Sequence, residues 1–440
     1  MKQVDFSAMV DSGRGLVDRA IFSDPRIYEL ELERIFARSW LFLAHESQVR
    51  EPGDYFNTYM GADPILVCRQ RDGSLKALLN SCRHRGMKVC RSDFGNARSF
   101  MCTYHGWTYS NSGQLTGVPF EKLGYDDRFR REEWGLVEVP RVEVYKGLIF
   151  ANWDREAPTL REYLGDFAYY MDIMLDRVDG GTEVIGGVQK WRMRGNWKLA
   201  AEQFAGDMYH AQTSHLSAAI AEGYREAIGD YHDGIEIDAG GGHGVGAFTG
   251  RPIVFGHPAV GAYYEATAAE MVRRIGSDRA VGTQWVHAGM FPNLAWLWDF
   301  PTLRIWHPRG PDSIEVWAWC VVERKMPPAV KEIIRLNCQR HFGPSGTWEQ
   351  DDSENWSYCA GGNGGYIARK YPLNYQMGRE PAREYSEFPG RIGSVYSEQN
   401  QRALYARWAE MMNAQSWKEI SVPGRAKSDH MGNAAAAVAP

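Results

Sequence analysis

Cysteine is scarce in this chain: seven in 440 residues, an odd number and scattered. That suits reduced buried thiols more than a disulfide framework. No apolar run approaches the roughly 20 residues of a membrane span, and the N-terminus has no signal-peptide core, so a cytoplasmic protein is expected. A net charge of −5 gives no basic footprint for nucleic acid or for an anionic membrane surface. A nucleotide loop is missing as well. The Gly-rich stretch Gly240–Gly246 has neither the GxGxxG spacing nor a GK[ST] ending, and it reads as a flexible loop. What remains is ordinary for a globular protein, with 44% hydrophobic and 24% charged residues. The length exceeds the ~250–300 residues at which one core usually splits, so two domains are expected. Aromatic content is high at 13%, which suits a ring-lined site as well as a core.

Two short motifs carry chemistry. Cys82-Arg-His84 is followed, 17 residues later, by Cys102-Thr-Tyr-His105. Two Cys-plus-His pairs are the ligand set of a Rieske [2Fe–2S] cluster, in which two thiolates hold one iron and two imidazoles the other. Neutral imidazoles raise the potential from about −400 mV to between about −150 and +300 mV, making a one-electron relay. Zinc is the competing reading, but structural zinc usually takes Cys-x2–4-Cys and His-x3–5-His pairs, each of one kind. Gly86 and Gly106, just after each His, allow tight turns close to a cluster. Cys68, Cys90, Cys320, Cys338 and Cys359 are left over and read as buried thiols, with Cys90 a small hydrophobe.

Periodicity divides the chain. Pro25–Trp40 has apolar residues near a 3.6 period behind a Pro start, and is predicted helical. From about 40 to 155, short alternating runs broken by Asp72-Gly73 and Ser112-Gly113 predict a small antiparallel β domain with both Cys/His pairs on its loops. Beyond Pro158, helices are predicted at Thr159–Met174, Asn196–Ser214, Pro327–Phe342 and Glu398–Met412. Strands are predicted at Val188–Met193 and within 285–325. The Ala-rich tail Asn433–Pro440 is expected to fray.

The second constellation is the run Asn196-Trp-Lys-Leu-Ala-Ala-Glu-Gln-Phe-Ala-Gly-Asp207-Met-Tyr-His210-Ala-Gln-Thr-Ser-His215. Asp207 and His210, three apart, share a helix face. His215 is five beyond His210, about 140° around an ideal helix. If both His ligate one metal, the helix must end or loosen between them, and Gln212-Thr213-Ser214 permit that. Two His and one carboxylate would leave three open positions on Fe(II) for O2 and substrate. Taken alone the two His read as structural; an upstream Rieske motif reverses that. The carboxylate must come from elsewhere, best from the acidic segment Trp348-Glu-Gln-Asp351-Asp352-Ser-Glu-Asn-Trp356, which a solvated helix N-terminus would also explain.

With these motifs, nearly the whole chain resembles the large (α) subunit of Rieske non-heme iron ring-hydroxylating dioxygenases, the naphthalene, biphenyl and dibenzofuran dioxygenase group. The resemblance implies an α+β fold, with an antiparallel β Rieske domain at 40–157 and a catalytic domain at 1–39 and 158–440. The latter carries a central antiparallel sheet flanked by helices, helix-grip-like. It implies that Cys82, Cys102, His84 and His105 hold the cluster. His210, His215 and Asp352 would hold the iron, with Asp351 as the fallback ligand. It implies that Asp207 bridges this site to a Rieske His of the neighbouring subunit, corresponding to His105. Electrons would then cross between subunits of a ring. The family's pocket positions map onto Gln203, Phe204, Met208, Ala211, His287, Phe342 and Trp348. Gln203 and the small Ala211 point to a polycyclic or dibenzofuran-type substrate, giving a cis-dihydrodiol or an angular diol. With no dinucleotide fingerprint, electrons from NAD(P)H must arrive through a reductase and a ferredoxin. A small β subunit in an α3β3 assembly is implied too. A Rieske monooxygenase or demethylase without that subunit is the alternative. A pure electron-transfer Rieske protein would leave most of the chain unexplained.

Overall fold

The computed structural model describes residues 5–223, 231–249, 257–379 and 388–424; the Ala-rich tail Asn433–Pro440 lies outside them. The fold is α+β and divides into two compact units, Phe36–Ala157 and Met1–Ile35 with Pro158–Pro440.

The smaller unit consists of three antiparallel sheets. Asp63–Arg69 and Leu75–Leu79 pair across the Asp72-Gly73 turn, with Gly73 at φ +83°. Thr108–Ser110 and Leu115–Gly117 pair across Gly113 at φ +92°. Both positive φ values fall where the sequence offers Gly, the residue that adopts them without steric cost. Tyr55, Leu66, Leu78, Phe100, Trp107 and Tyr109 form the core, and Cys82, Cys90 and Cys102 are buried in it.

The larger unit is built on an eight-stranded antiparallel sheet. Its order is Thr182–Arg194, Ser313–Glu323, Thr302–Pro308, Leu294–Leu297, Thr283–Met290, His243–Thr249, Gly234–Gly240 and Arg391–Ser394. The helix Trp197–Gly206 lies across its central strands. Glycine permits that close approach. A Cβ at Gly244 would collide with the Ala205 carbonyl, and one at Gly289 would stand 2.9 Å from the Ala205 nitrogen. Gly240–Gly246 is therefore not a flexible loop. Its first residues turn a hairpin and the rest form a strand buried under the helix.

Other expectations shift in detail. The opening helix is α-helical only over Pro25–Glu31 and continues as a π turn, Leu32–Phe36. Thr159–Met174 is two helices, Leu160–Leu164 and Phe167–Leu175, broken at Gly165 with φ +52°. Cys359 is exposed rather than buried, because its helix Thr347–Asn363 turns that face outward. Among the described residues no helix is long and apolar enough to cross a membrane.

The Asn196-Trp197-Lys198 triplet acts as a foundation. The Asn196 side chain accepts from the Lys198 N–H at 3.1 Å and caps the helix. Lys198 Nζ lies 2.6 Å from Glu31 in a fully buried ion pair. Trp197 and Trp408 also donate to that carboxylate, at 2.8 and 2.7 Å. One acid thus ties the N-terminal helix, the central helix and the C-terminal helix Gln399–Asn413 together. With three partners on one buried carboxylate, removing the Lys198 ammonium would leave a costly buried charge behind.

Candidate metal centres

The two Cys/His loops repeat one local construction. Cys82 N–H donates to Met87 O and Gly86 N–H to Cys82 O, each at 2.8 Å. Cys102 N–H donates to Trp107 O at 2.8 Å and Gly106 N–H to Cys102 O at 2.9 Å. Gly86 and Gly106 sit at φ +76° and +74°, the left-handed conformation that lets each loop fold back. Both thiols are buried, and the two imidazoles face each other with centroids 4.5 Å apart. The His84 Nδ1 is a buried nitrogen with no hydrogen-bond partner among the described residues. Burial, His105 and Arg85 hold its pKa below the ordinary value, which favours the neutral ring that a metal ligand requires. Two buried thiols and two adjacent imidazoles with an open nitrogen fit a [2Fe–2S] cluster of Rieske type.

The second centre begins where the central helix stops. Asn400 donates to the Ala205 carbonyl at 2.8 Å and Gln401 donates to the Gly206 carbonyl. These side-chain amides satisfy carbonyls that a buried helix end would leave unpaired. The chain then leaves helical geometry at Asp207, with φ −155° and ψ 47°, and resumes as the short turns Met208–His210 and Ala211–Ser214. The expected single helix Asn196–Ser214 is thus interrupted at Asp207, ahead of both His and not only between them. Asp207 and His210 still meet, but through this bend rather than along a helix face. The His210 Nδ1–H donates to the Asp207 carbonyl, and the Asp207 carboxylate lies 3.7 Å from the same nitrogen.

That contact points His210 Nε2 inward. His215 is oriented the same way, its Nδ1–H donating to Asp351 Oδ2 at 3.1 Å. The two Nε2 atoms lie 3.1 Å apart, and Asp352 Oδ1 is 3.3 and 3.2 Å from them. Two ligand atoms at right angles, each about 2.1 Å from one ion, stand about 3 Å apart, so the triangle has the dimensions of one face of a metal site. Among the described residues this is the one group of His, Cys and acidic side chains found converging on a single point. The adjacent acids divide the work: Asp352 enters the triangle, and Asp351 holds the outer nitrogen of His215.

The electrostatics point the same way. Burial pushes Asp352 up, yet hydrogen bonds from His210 and His215 hold its carboxyl well below the usual range. Burial lowers His210, but the Asp207 and Asp352 carboxylates outweigh it and lift the imidazole to about 9. The cluster is one that favours a cation. Asp207 keeps 24% of its side-chain surface exposed, and its Oδ1 has no partner among the described residues. Burial first, and then Asp352, push its carboxyl up to about 7 against the pull of His210.

A cavity of about 100 Å³ opens onto the triangle, lined by Gln203, Phe204, Met208, Ala211, His287, Phe342 and Trp348. All seven pocket positions expected from sequence therefore share one wall. Tyr231, Phe248, Val286 and Leu297 also line it and were not expected. Phe248 follows the Gly-rich run, and its strand alternation was the available signal. A larger cavity, about 350 Å³, contains none of the converging side chains, so volume alone does not find the site. Gln203 accepts from the Trp356 indole at 2.7 Å, and His287 donates from Nδ1 to the Phe204 carbonyl at 2.9 Å. Both polar side chains are thereby pinned.

Residues 168–414 match the profile of the ring hydroxylating alpha subunit, catalytic domain, and residues 39–129 that of the Rieske [2Fe-2S] domain. The biphenyl dioxygenase subunit alpha of Metapseudomonas furukawaii is 47% identical over 94% of each chain. The biphenyl 2,3-dioxygenase subunit alpha of Rhodococcus jostii is 44% identical over 97% of this chain and 95% of its own. A solved naphthalene 1,2-dioxygenase with indole in its active site is similar in structure, with a TM-score of 0.86 at 32% identity. That match covers 94% of this chain and 96% of the other.

Proposed function

Because the chain belongs to the family of ring-hydroxylating dioxygenase α subunits, an oxidoreductase family with a Rieske cluster and a mononuclear iron, we propose that it dihydroxylates a ring of a polycyclic, biphenyl- or dibenzofuran-type hydrocarbon. One observation carries the substrate class. The cavity beside the three converging ligands is lined mainly by Phe, Met, Ala, Leu, Val and Trp, and among its described lining residues there is neither Arg nor Lys. Such a wall offers burial to a neutral ring and nothing to pair a carboxylate. Relatives named for biphenyl and benzene support the same class.

In this reading Cys82, Cys102, His84 and His105 hold the cluster, and His210, His215 and Asp352 hold the iron. When bound, these groups supply electrons singly and a place for O2. The protein residues do the rest. Asp207 and Asp351 hold the Nδ1 protons of the two imidazoles and so fix which nitrogen faces the metal. Phe204, Phe342 and Trp348 exclude water and set the ring's approach, and Ala211 leaves room for a second ring. Both atoms of O2 end on adjacent ring carbons, and two electrons and two protons complete a cis-dihydrodiol; attack beside a ring oxygen gives an angular diol. The electrons start on NAD(P)H and reach this chain through a reductase and a ferredoxin. A donor of that kind suits a cytoplasmic enzyme. A small β subunit completes an α3β3 assembly, in which Asp207 faces His105 of an adjacent α subunit.

Incubating the purified oxygenase with its redox partners and a panel of one-, two- and three-ring aromatics tests the reading. Diols of biphenyl, naphthalene or dibenzofuran are expected. Turnover of benzoate-like acids alone would overturn it.

A further inference from the structure

Arg304 carries a guanidinium with no exposed side-chain surface, on the strand Thr302–Pro308, and it touches three elements of the iron site at once. One arm donates to the Glu349 carboxylate. The other donates to the Phe342 carbonyl at 2.6 Å, where the helix Pro328–Phe342 ends. Its central carbon stands 4.9 Å from the Phe342 ring centroid and 5.7 Å from that of Phe204. Glu349 is buried as well and lies one turn before Asp352 on the helix Thr347–Asn363. That helix has no side-chain cap at its N-terminus; its first turn is held from outside, on one side by Thr347 and Trp348 donating to Glu222 and on the other by Glu349 on Arg304.

A buried ion pair of this kind adds little net stability. Apolar side chains of similar volume commonly serve as well or better. Its distinctive property is direction: a planar fork holds its partners at set angles and distances, which neither an ammonium nor a methyl group does. We propose that the Arg304–Glu349 pair sets the rotation and height of the Thr347–Asn363 helix, and so places the Asp352 carboxylate against His210 and His215. Arg304 and Glu349 are positioning residues for iron affinity and touch neither the metal nor the substrate. The shared hold on Phe342 fixes a pocket ring in the same frame. This rests on His210, His215 and Asp352 being the iron ligands.

The test compares wild type, Arg304→Lys and the charge-free double variant Arg304→Met/Glu349→Leu, each as the full oxygenase stripped of mononuclear iron and titrated with Fe(II). The double variant should stay folded, its thermal midpoint lowered only by the unpaired Phe342 carbonyl, and should keep the visible absorbance of its Rieske cluster. Its Fe(II) dissociation constant should rise about 10- to 100-fold, the range for partners that orient a ligand from behind. Arg304→Lys, which keeps the charge and loses the fork, should fall between. Wild-type affinity in the folded double variant overturns the proposal. Iron loss only in proportion to unfolded protein overturns it too. Wild-type enzyme that takes up no iron beyond its cluster would instead sink the ligand assignment itself.

Discussion

The two candidate metal centres are made in opposite ways. The Cys/His loops are local: each pair sits within four residues, braced by its own backbone hydrogen bonds and one left-handed glycine. The His/His/Asp centre is assembled from distance. Two ligands come from a broken helix and the third from a helix 137 residues further on than His215. It is held by buried amides, a buried ion pair and glycine contacts contributed by the sheet. A local site depends on few residues outside itself, whereas an assembled one can be dismantled from many places.

Separating the centres should give the largest effects. His215→Ala is expected to remove the mononuclear iron and all measurable product, while the visible spectrum of the cluster stays intact. Cys102→Ser should lose the cluster's visible spectrum, and product formation with it, while the mononuclear iron stays bound; metal analysis with absorbance distinguishes the two. If either change emptied both centres, their independence would be lost. Asp207→Asn comes next: it keeps the backbone carbonyl that accepts from His210 and removes the carboxylate charge, so both metals should be retained while turnover falls about 100-fold, the upper end for partners behind a metal ligand. Wild-type-like product formation by that variant would remove the bridging role.

Supports of the assembled centre should yield smaller, graded losses. Gly246→Ala puts a Cβ 2.5 Å from Met208 Sδ and into contact with His287 Nε2. Overpacking of this sort costs about 1–3 kcal/mol, and denaturant melts should show it together with weaker iron binding. The equivalent change at Gly73, whose Cβ would meet nothing within 4 Å, should leave iron untouched.

The effect smallest at neutral pH is a pH dependence that emerges only in acid. His243 is 1% exposed; its Nε2–H donates to the Tyr163 carbonyl and its Nδ1 accepts from the Phe291 N–H. Burial pushes its pKa down to about 3 from an ordinary 6.5. Between those values the unfolded chain binds the extra proton, so stability is complete above the ordinary value and falls with acid. The loss approaches about 1.4 kcal/mol per pH unit. His243→Gln should flatten the part of the stability profile between pH 6 and 4; an unchanged slope would rule His243 out as its source.

Much of this was legible in the chain because the carriers are local. Cys82, His84, Cys102 and His105 declare themselves by spacing, and the Asp-Gly and Ser-Gly turns mark the strands between which they sit. His210 and His215 were legible as candidates, and Asp351 and Asp352 as a neighbourhood. The resemblance favours Asp352 for the triangle, but spacing alone does not choose between the two acids, since adjacent residues on a helix differ by only about 100° of rotation and a distant contact sets that rotation. The Gly-rich run reads as a loop, and folds as a strand, for a related reason. Glycine marks both a loose loop and a strand pressed against a helix, and only the partner distinguishes them.

The sequence by itself determined the kinds of chemistry available: a sulfur–imidazole pair of loops, two histidines with acids to spare, and a redox chain with no nucleotide site of its own. Those follow from side-chain identity and short-range geometry, which a chain carries with it wherever it folds. Only the tertiary structure decided that the central helix stops at Asp207, that Asp352 rather than Asp351 faces the histidines, and that Arg304 stands behind them. Each depends on buried polar groups finding partners from far along the chain, because an unpaired charge or carbonyl in that interior costs more than the fold can bear.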